Sequence, residues 1–266
     1  MIQNPVHVSG DAYVVPMHWQ PPGAPVGVSL NSMVVRGSQP ALIDTGVAAY
    51  REGWLRAVSS VVDLDDVRWI ILSHDDHDHT GNLEAAMEAC PNATVVASWF
   101  LTERLSGSIE LDPRRLRWLD HGDTLDAGDR TFVFERPPLF DSPTTRAVLD
   151  TRDRVLWAAD CFATPLLQPA VHIDEVDPGF YAEGFRQFQQ WNSPWFEMLD
   201  ASRYAAAVDR FAALEPSAIA SCHAPVLSGA HVAQAYALLR DVIHAPYTPM
   251  PNQSVLDSML AAAAAA

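Results

Sequence analysis

The chain has 266 residues, of which 48% are hydrophobic, so it is long enough to bury the core of one large α/β domain. Its formal charge of −16 comes from 33 acidic and 17 basic residues, and a surface this acidic should repel nucleic acid and anionic membranes. Three cysteines without a CxxC pair, no signal segment and no long apolar run predict a cytoplasmic protein without a disulfide framework.

In its first half the chain alternates short β-branched runs with helical segments. The predicted strands are residues 11–15, 28–35, 41–44, 67–72 and 93–97, and helices are predicted at 50–62 and from 82 to about 90. Helices between buried strands are typical of βαβ units, so this half should form a sheet that contains parallel strands.

The second half favours antiparallel pairing. Its predicted strands are residues 118–119, 126–129, 130–134, 146–150, 154–158 and 218–225, with helical patterns at 178–214 and 231–242. The aromatic residues of 180–196 are interpreted as core or homodimer-interface residues. We predict one domain over residues 1–245 and a tail over 246–266 that is partly disordered or helical.

The segment Ser73–Gly81 concentrates His and Asp residues between a predicted strand and a predicted helix. Carboxylates and imidazoles packed this closely would repel and desolvate one another unless cations neutralise them, so the segment indicates a metal site. A solvated polar turn is the simpler alternative, because loops are commonly hydrophilic.

Further ligand types stand at the ends of other predicted strands. Asp141, Asp160 and His223 hold such positions, and a sheet with parallel strands would bring them to one edge beside residues 74–79. Asp44 also ends a strand, where it could orient a ligand histidine or cap the next helix. Asp160 likewise has a capping alternative.

The pattern His74-x-Asp76-x-Asp78-His79 resembles the HxHxDH signature of the metallo-β-lactamase fold. It is more similar to the HxExDH pattern of the di-iron core of flavodiiron proteins, which has a carboxylate at the third position. This resemblance implies a single-domain αββα sandwich, in which two mixed sheets are flanked by helices.

The resemblance also implies a ligand set, carried over position by position. His74 and Asp76 would bind a first iron, Asp160 would bridge, and the ligands of the second iron would be Asp78, His79 and His223. Asp141 stands where the family has a histidine, so either it is a carboxylate ligand of the first iron or that iron lacks a ligand. The resemblance makes Asp78 and Asp160 the catalytic candidates, and His77 is expected to face away from the metals.

The function that follows is a non-haem di-iron protein that binds and reduces or activates O2 or NO. It would carry two iron ions but no FMN, and an external electron-donor protein would supply electrons. One alternative is a binuclear zinc hydrolase of lactones, thioesters or β-lactams, in which the metals activate a hydroxide. Another alternative is a non-catalytic oxygen sensor.

Overall fold

The middle strands of the chain are buried on both faces, because each lies between a second sheet and a layer of helices. In the computed structural model, which describes residues 2–265, two sheets pack face to face and helices cover their outer sides. The predicted αββα sandwich with two mixed sheets is therefore confirmed.

The strands are short and follow one another along the whole chain up to the last helices. They are β1 (Val6–Ser9), β2 (Ala12–Val15), β3 (His18–Trp19), β4 (Val28–Ser29), β5 (Ser32–Val35), β6 (Ala41–Ile43), β7 (Trp69–Ile71), β8 (Thr94–Ala97), β9 (Leu116–Trp118), β10 (Thr124–Asp126), β11 (Thr131–Glu135), β12 (Ala147–Asp150), β13 (Val155–Trp157), β14 (Ala218–Ser221) and β15 (Ala224–Ser228). The first sheet has the order β1-β2-β5-β6-β7-β8-β9, the second has the order β10-β11-β12-β13-β14-β15, and β3 pairs with β4.

The helices lie mainly between the parallel strands and after β13. They are α1 (Arg51–Ser59), α2 (His77–Thr80), α3 (Leu83–Ala89), α4 (Trp99–Leu105), α5 (Pro178–Asn192), α6 (Ala201–Ala212), α7 (Ala230–Asp241) and α8 (Gln253–Ala265). Strands β6 to β9 are parallel to one another, as are β13 and β14, and the remaining pairs within both sheets are antiparallel.

Alternation along each strand builds three apolar layers. In the first sheet, Leu42 packs toward α1, α3 and α4, whereas its neighbour Ile43 points between the sheets. In the second sheet, Leu156 packs toward α5, α6 and α7, whereas Trp157 points between the sheets. The strands β6 and β7 pair in parallel, as do β13 and β14, and the carboxyl ends of all four lie at one edge of the sandwich.

Several predicted boundaries were wrong. Residues 28–35 form two strands rather than one, and 126–129 is mostly a turn, because Gly128 takes a left-handed φ of 85° after β10. The helical pattern at 178–214 breaks near Pro194, which cannot donate the backbone hydrogen bond that would continue α5. The segment 218–225 contains a turn that separates β14 from β15.

Residues 253–265 of the predicted tail are helical as α8, while the division at residue 245 remains a prediction. Ala266, at the end of the tail, lies outside the described residues. None of the helices between residues 2 and 265 combines the length and the apolar character needed to cross a bilayer.

A buried arginine joins the two sheets at the edge opposite to those carboxyl ends. Arg130 is 4% exposed and binds Asp150, the last residue of β12, at 2.7 Å and Asp153, in the turn after β12, at 2.9 Å. It also binds Asp11 at 2.7 Å, in the turn between β1 and β2. The guanidinium therefore neutralises the charge of the Asp150 carboxylate, which is itself fully buried.

Replacing Arg130 with methionine should lower the free energy of unfolding by about 3–5 kcal/mol, because Asp150 would be left charged and unpaired in the interior. Chemical denaturation monitored by circular dichroism measures the change. Arg36 is a matched control, since it pairs with the same Asp11 at 3.4 Å but is largely exposed. Arg36→Met should cost less than about 1 kcal/mol. Equal losses in the two variants would contradict this account of the buried network.

Candidate metal centre

Four separate segments meet at the edge where β6, β7, β13 and β14 end. Residues 74–79 follow β7, Asp141 precedes β12, Asp160 follows β13, and His223 lies in the turn between β14 and β15. Each segment contributes imidazole or carboxylate groups to a common cluster. The structure therefore brings together every residue for which the sequence predicted metal binding.

Asp160 occupies the middle of this cluster. Its Oδ1 lies 3.0 Å from His79 Nε2 and 3.4 Å from His223 Nε2, whereas its Oδ2 lies 3.7 Å from His74 Nε2. The side chain of Asp160 is 3% exposed. Its two oxygens thus face different histidines, which is the arrangement that a carboxylate between two metal ions requires.

The first group of donors surrounds His74. Its Nε2 lies 3.8 Å from Asp76 Oδ2 and 3.9 Å from Asp141 Oδ1. The side chain of Asp76 is 49% exposed and that of Asp141 is 21% exposed, so this side of the cluster opens to solvent.

The second group surrounds Asp78. Its Oδ2 lies 3.1 Å from His223 Nε2 and 3.5 Å from His79 Nε2. The ring of Phe188 covers part of this group, at 5.4 Å from the ring of His223, while the side chain of Asp78 is 22% exposed.

Hydrogen bonds fix which nitrogen of each histidine carries the proton. His223 Nδ1 lies 2.7 Å from the carbonyl oxygen of Ser29, which can only accept, so Nδ1 donates. His79 Nδ1 donates in the same way to Asp44 Oδ2 at 2.8 Å. The Ser73 hydroxyl gives its proton to Asp44, so its 3.2 Å contact with His74 Nδ1 makes that nitrogen the donor. With the proton on Nδ1, each neutral ring presents the lone pair of Nε2 to the cluster.

Asp44 is the anchor of this arrangement. Its carboxylate is fully buried and accepts hydrogen bonds from the backbone N–H of Ser73 at 2.7 Å, from the Ser73 hydroxyl at 2.6 Å and from Trp157 Nε1 at 2.8 Å, besides that from His79. These donors satisfy the buried charge. The prediction that Asp44 orients a histidine agrees with this contact, and it caps none of the helices within residues 2–265.

The inward-facing atoms fit a bound cation. His74 Nε2, His79 Nε2 and Asp160 Oδ1 are buried without a hydrogen-bond partner, although buried polar atoms are nearly always paired. His79 Nε2 and Asp160 Oδ1 are 3.0 Å apart but lack hydrogen-bond geometry, so their lone pairs do not satisfy each other. A metal ion that accepts both lone pairs removes this cost.

The electrostatics of the cluster also favour positive charge. Burial raises the pKa of Asp141, and the nearby negative charge of Asp160 raises it further. Burial alone would lower the pKa of His79, but negative charge on Cys222 and on the surrounding carboxylates outweighs it and, without a metal, raises this pKa well above its usual value. The protein therefore concentrates negative charge where a cation would relieve the repulsion.

Comparison with known proteins identifies the family. The family model described as ODP family beta lactamase matches residues 28–224, which include all the candidate ligands. The chain belongs to this family.

Three matched proteins show what this ODP family member is similar to. An anaerobic nitric oxide reductase flavorubredoxin from Salmonella arizonae is 28% identical over 166 residues, which cover 62% of this chain and 34% of that protein. The rubredoxin oxygen:oxidoreductase from Desulfovibrio gigas superposes with a TM-score of 0.79 at 20% identity, covering 91% of this chain and 62% of that one. The flavodiiron protein from Giardia intestinalis gives a TM-score of 0.78 at 20% identity and covers 91% and 59% of the two chains.

These matches confirm the resemblance to the core domain of flavodiiron proteins. At such identities the superpositions establish the shared fold. The matched segments represent only 24% and 34% of the length of two of the curated relatives.

A contact that sequence reasoning missed holds two loops of this ODP family site together. Asp75, between two candidate ligands, accepts hydrogen bonds from Ser142 Oγ and Thr144 Oγ1 at 2.6 Å each, and Arg104 pairs with it. Burial would raise the pKa of Asp75, but these hydrogen bonds and the Arg104 charge lower it to about 2. Because Ser142 follows Asp141, this contact fixes Asp141 near His74.

No local pattern predicts this contact, since its partners come from distant segments. Cys222 was also missed, although it directly precedes His223 and its Sγ lies 3.7 Å from Asp78 Oδ2. A cysteine directly before a candidate ligand histidine at the end of a strand would have indicated Cys222 as a further candidate ligand. The side chain of His77 is exposed and belongs to none of the potential metal clusters among the described residues, as expected.

Proposed function

We propose that this protein is a non-haem di-iron oxidoreductase that binds and reduces O2 or NO with electrons from a redox partner. The observation that carries the proposal is the buried Asp160, whose two oxygens face separate histidine groups with unpaired Nε2 atoms. The relatives support the same chemistry, because they are described as a nitric oxide reductase and an oxygen oxidoreductase.

The ligand assignment follows the two groups of donors. His74, Asp76 and Asp141 would hold the first iron, the second would lie among Asp78, His79 and His223, and Asp160 would contact both. Carboxylate-rich donor sets suit hard, oxidised iron better than zinc. Bound iron would supply the electron-transfer chemistry of the reaction.

The remaining roles belong to the protein itself. Asp44 and Ser29 keep the imidazoles in the tautomer that presents Nε2. The 49% exposure of the Asp76 side chain leaves an opening through which a small gas can reach the first group, while the Asp78 side chain, which is 22% exposed, leaves a smaller opening to the second group. The site therefore opens to solvent more widely beside the first group than beside the second.

Metal analysis of protein purified without added metal tests the proposal, together with electrode measurements of O2 and NO consumption after chemical reduction. We expect about two irons per chain, a visible absorption that changes on reduction and exposure to air, and gas consumption that metal removal abolishes. Two zinc ions in a colourless protein that consumes neither gas would contradict the proposal. Lactones and thioesters would then be the substrates to assay.

Asp141→Ala should weaken metal binding at the first group only, because Asp141 lies near His74 and away from the second group. Iron titration should show one site of unchanged affinity and one whose affinity falls roughly 10- to 100-fold or more, since a direct ligand is lost. His77→Ala is the matched control, and it should retain both sites because its exposed side chain lies outside the clusters. Identical titrations for Asp141→Ala and the parent would exclude Asp141 as a ligand.

A further inference from the structure

Cys222 lies beside the second group of donors and is fully buried. Its Sγ lies 3.7 Å from Asp78 Oδ2, the oxygen that is also 3.1 Å from His223 Nε2 and 3.5 Å from His79 Nε2. The candidate ligand atoms of these four residues all lie within 4.8 Å of one another. One carboxylate oxygen is thus surrounded by two imidazole nitrogens and a sulfur.

An unpaired imidazole nitrogen also faces this cluster, and a cation would accept its lone pair. His79 is fully buried, its Nδ1 is committed to Asp44, and its Nε2 has no hydrogen-bond partner while facing Asp78. Two imidazoles, the Asp78 carboxylate and a sulfur, together with the neighbouring Asp160 Oδ1, form a mixed nitrogen, oxygen and sulfur donor set that suits a divalent transition-metal ion.

The backbone holds Cys222 firmly in place. The Asn31 side-chain amide donates to the carbonyls of Ser221 and Ala224 at 3.0 Å each, and the backbone N–H of Asn31 donates to the Cys222 carbonyl at 2.9 Å. The N–H of Cys222 in turn donates to the Ala159 carbonyl at 2.9 Å. The backbone position of Cys222 is therefore set by the fold before any metal binds, as an efficient ligand requires.

We propose that Cys222 is a thiolate ligand of the second metal, so that the two halves of the site have unlike donor sets. The proposal rests on the proposed function in one respect, since it requires a metal at this cluster. When the ion binds, the thiol releases its proton to solvent and the sulfur donates a lone pair, with no change of oxidation state. The half that contains sulfur is softer and favours Zn²⁺ or Fe²⁺, whereas the carboxylate-rich half favours harder ions.

Cobalt(II) is the probe for the test, because its absorption reports a sulfur ligand independently of activity. We expect the metal-stripped 266-residue chain, reloaded with cobalt, to develop an intense near-ultraviolet band from thiolate-to-cobalt charge transfer. Cys222→Ser should lose this band but keep the weaker visible bands of cobalt bound to nitrogen and oxygen. Cys90→Ser is the matched control, since Cys90 is also buried but belongs to the apolar layer beneath α3, and it should keep the full spectrum.

The outcomes separate this inference from the proposed function. Visible cobalt bands without a thiolate band in the parent would overturn the role of Cys222 and leave the binuclear site intact. A parent that binds no cobalt would overturn both. Should Cys222→Ser fail to fold, X-ray absorption of the zinc-loaded parent decides, because a bound thiolate gives a sulfur neighbour at about 2.3 Å and its absence would overturn the inference.

Discussion

Asp160→Ala is expected to abolish the loading of two metal ions per chain. The carboxylate lies within 3.0–3.7 Å of Nε2 atoms from both donor groups, so its removal takes a ligand from each metal at once. Metal analysis after reloading with iron measures the loss. Gas consumption should fall with it to the level of the metal-stripped parent, since the proposed chemistry needs both ions.

A matched variant separates this effect from a general loss of acidic charge. Asp174 is largely exposed and pairs with His231 at 2.7 Å, away from the cluster, so Asp174→Asn should bind metal as the parent does. Thermal denaturation provides a second readout. Added metal should stabilise the parent by mass action and stabilise Asp160→Ala much less. Full two-ion loading of Asp160→Ala would contradict the bridging role.

Asp44→Asn is expected to disrupt the site without removing any proposed ligand. The amide that replaces the carboxylate can present an N–H group to His79 Nδ1, where the native carboxylate accepts at 2.8 Å. His79 would then favour the tautomer with its proton on Nε2, and the lone pair that faces the cluster would be lost. Loss of such a supporting hydrogen bond typically lowers metal affinity roughly 10- to 100-fold.

The same substitution should lower the free energy of unfolding by about 1–3 kcal/mol, because buried donors on Ser73 and Trp157 would lose a charged acceptor. Metal titration and chemical denaturation measure the two effects separately. Trp157→Phe is a graded companion that keeps an aromatic ring between the sheets and removes a single donor. It should weaken metal binding far less than Asp44→Asn, and the reverse order would refute the tautomer argument.

The metal loop shows how much a local pattern can predict. His74, Asp76, Asp78 and His79 are close in sequence, and a strand-to-helix connection places such residues on one short loop whatever surrounds it. Asp160 and His223 were predictable for a related reason, since parallel strands bring their carboxyl ends to the same edge. The αββα layering follows from apolar alternation and from helices between buried strands.

Other features depend on contacts between distant segments. Three contacts join residues whose separation in the chain follows no pattern. They are the hydrogen bonds from Ser142 and Thr144 to Asp75, the four donors around Asp44, and the contact between Cys222 and Asp78. The aromatic segment at 180–196 was likewise ambiguous between core and interface. In the structure Phe185 and Phe196 pack inside the layer formed with α6 and α7.

The sequence by itself determined the kind of site, because residue types and their spacing along one loop specify which donors are available and which metals they suit. It also determined the layers of the sandwich, because hydrophobic periodicity is a local property that each strand and helix carries on its own. Only the tertiary structure decided which nitrogen of each histidine faces inward, which oxygen of Asp160 faces which histidine, and that Cys222 lies beside Asp78, His79 and His223. These depend on side-chain directions and on distances of a few ångströms across the gap between two sheets, which chain connectivity does not encode locally.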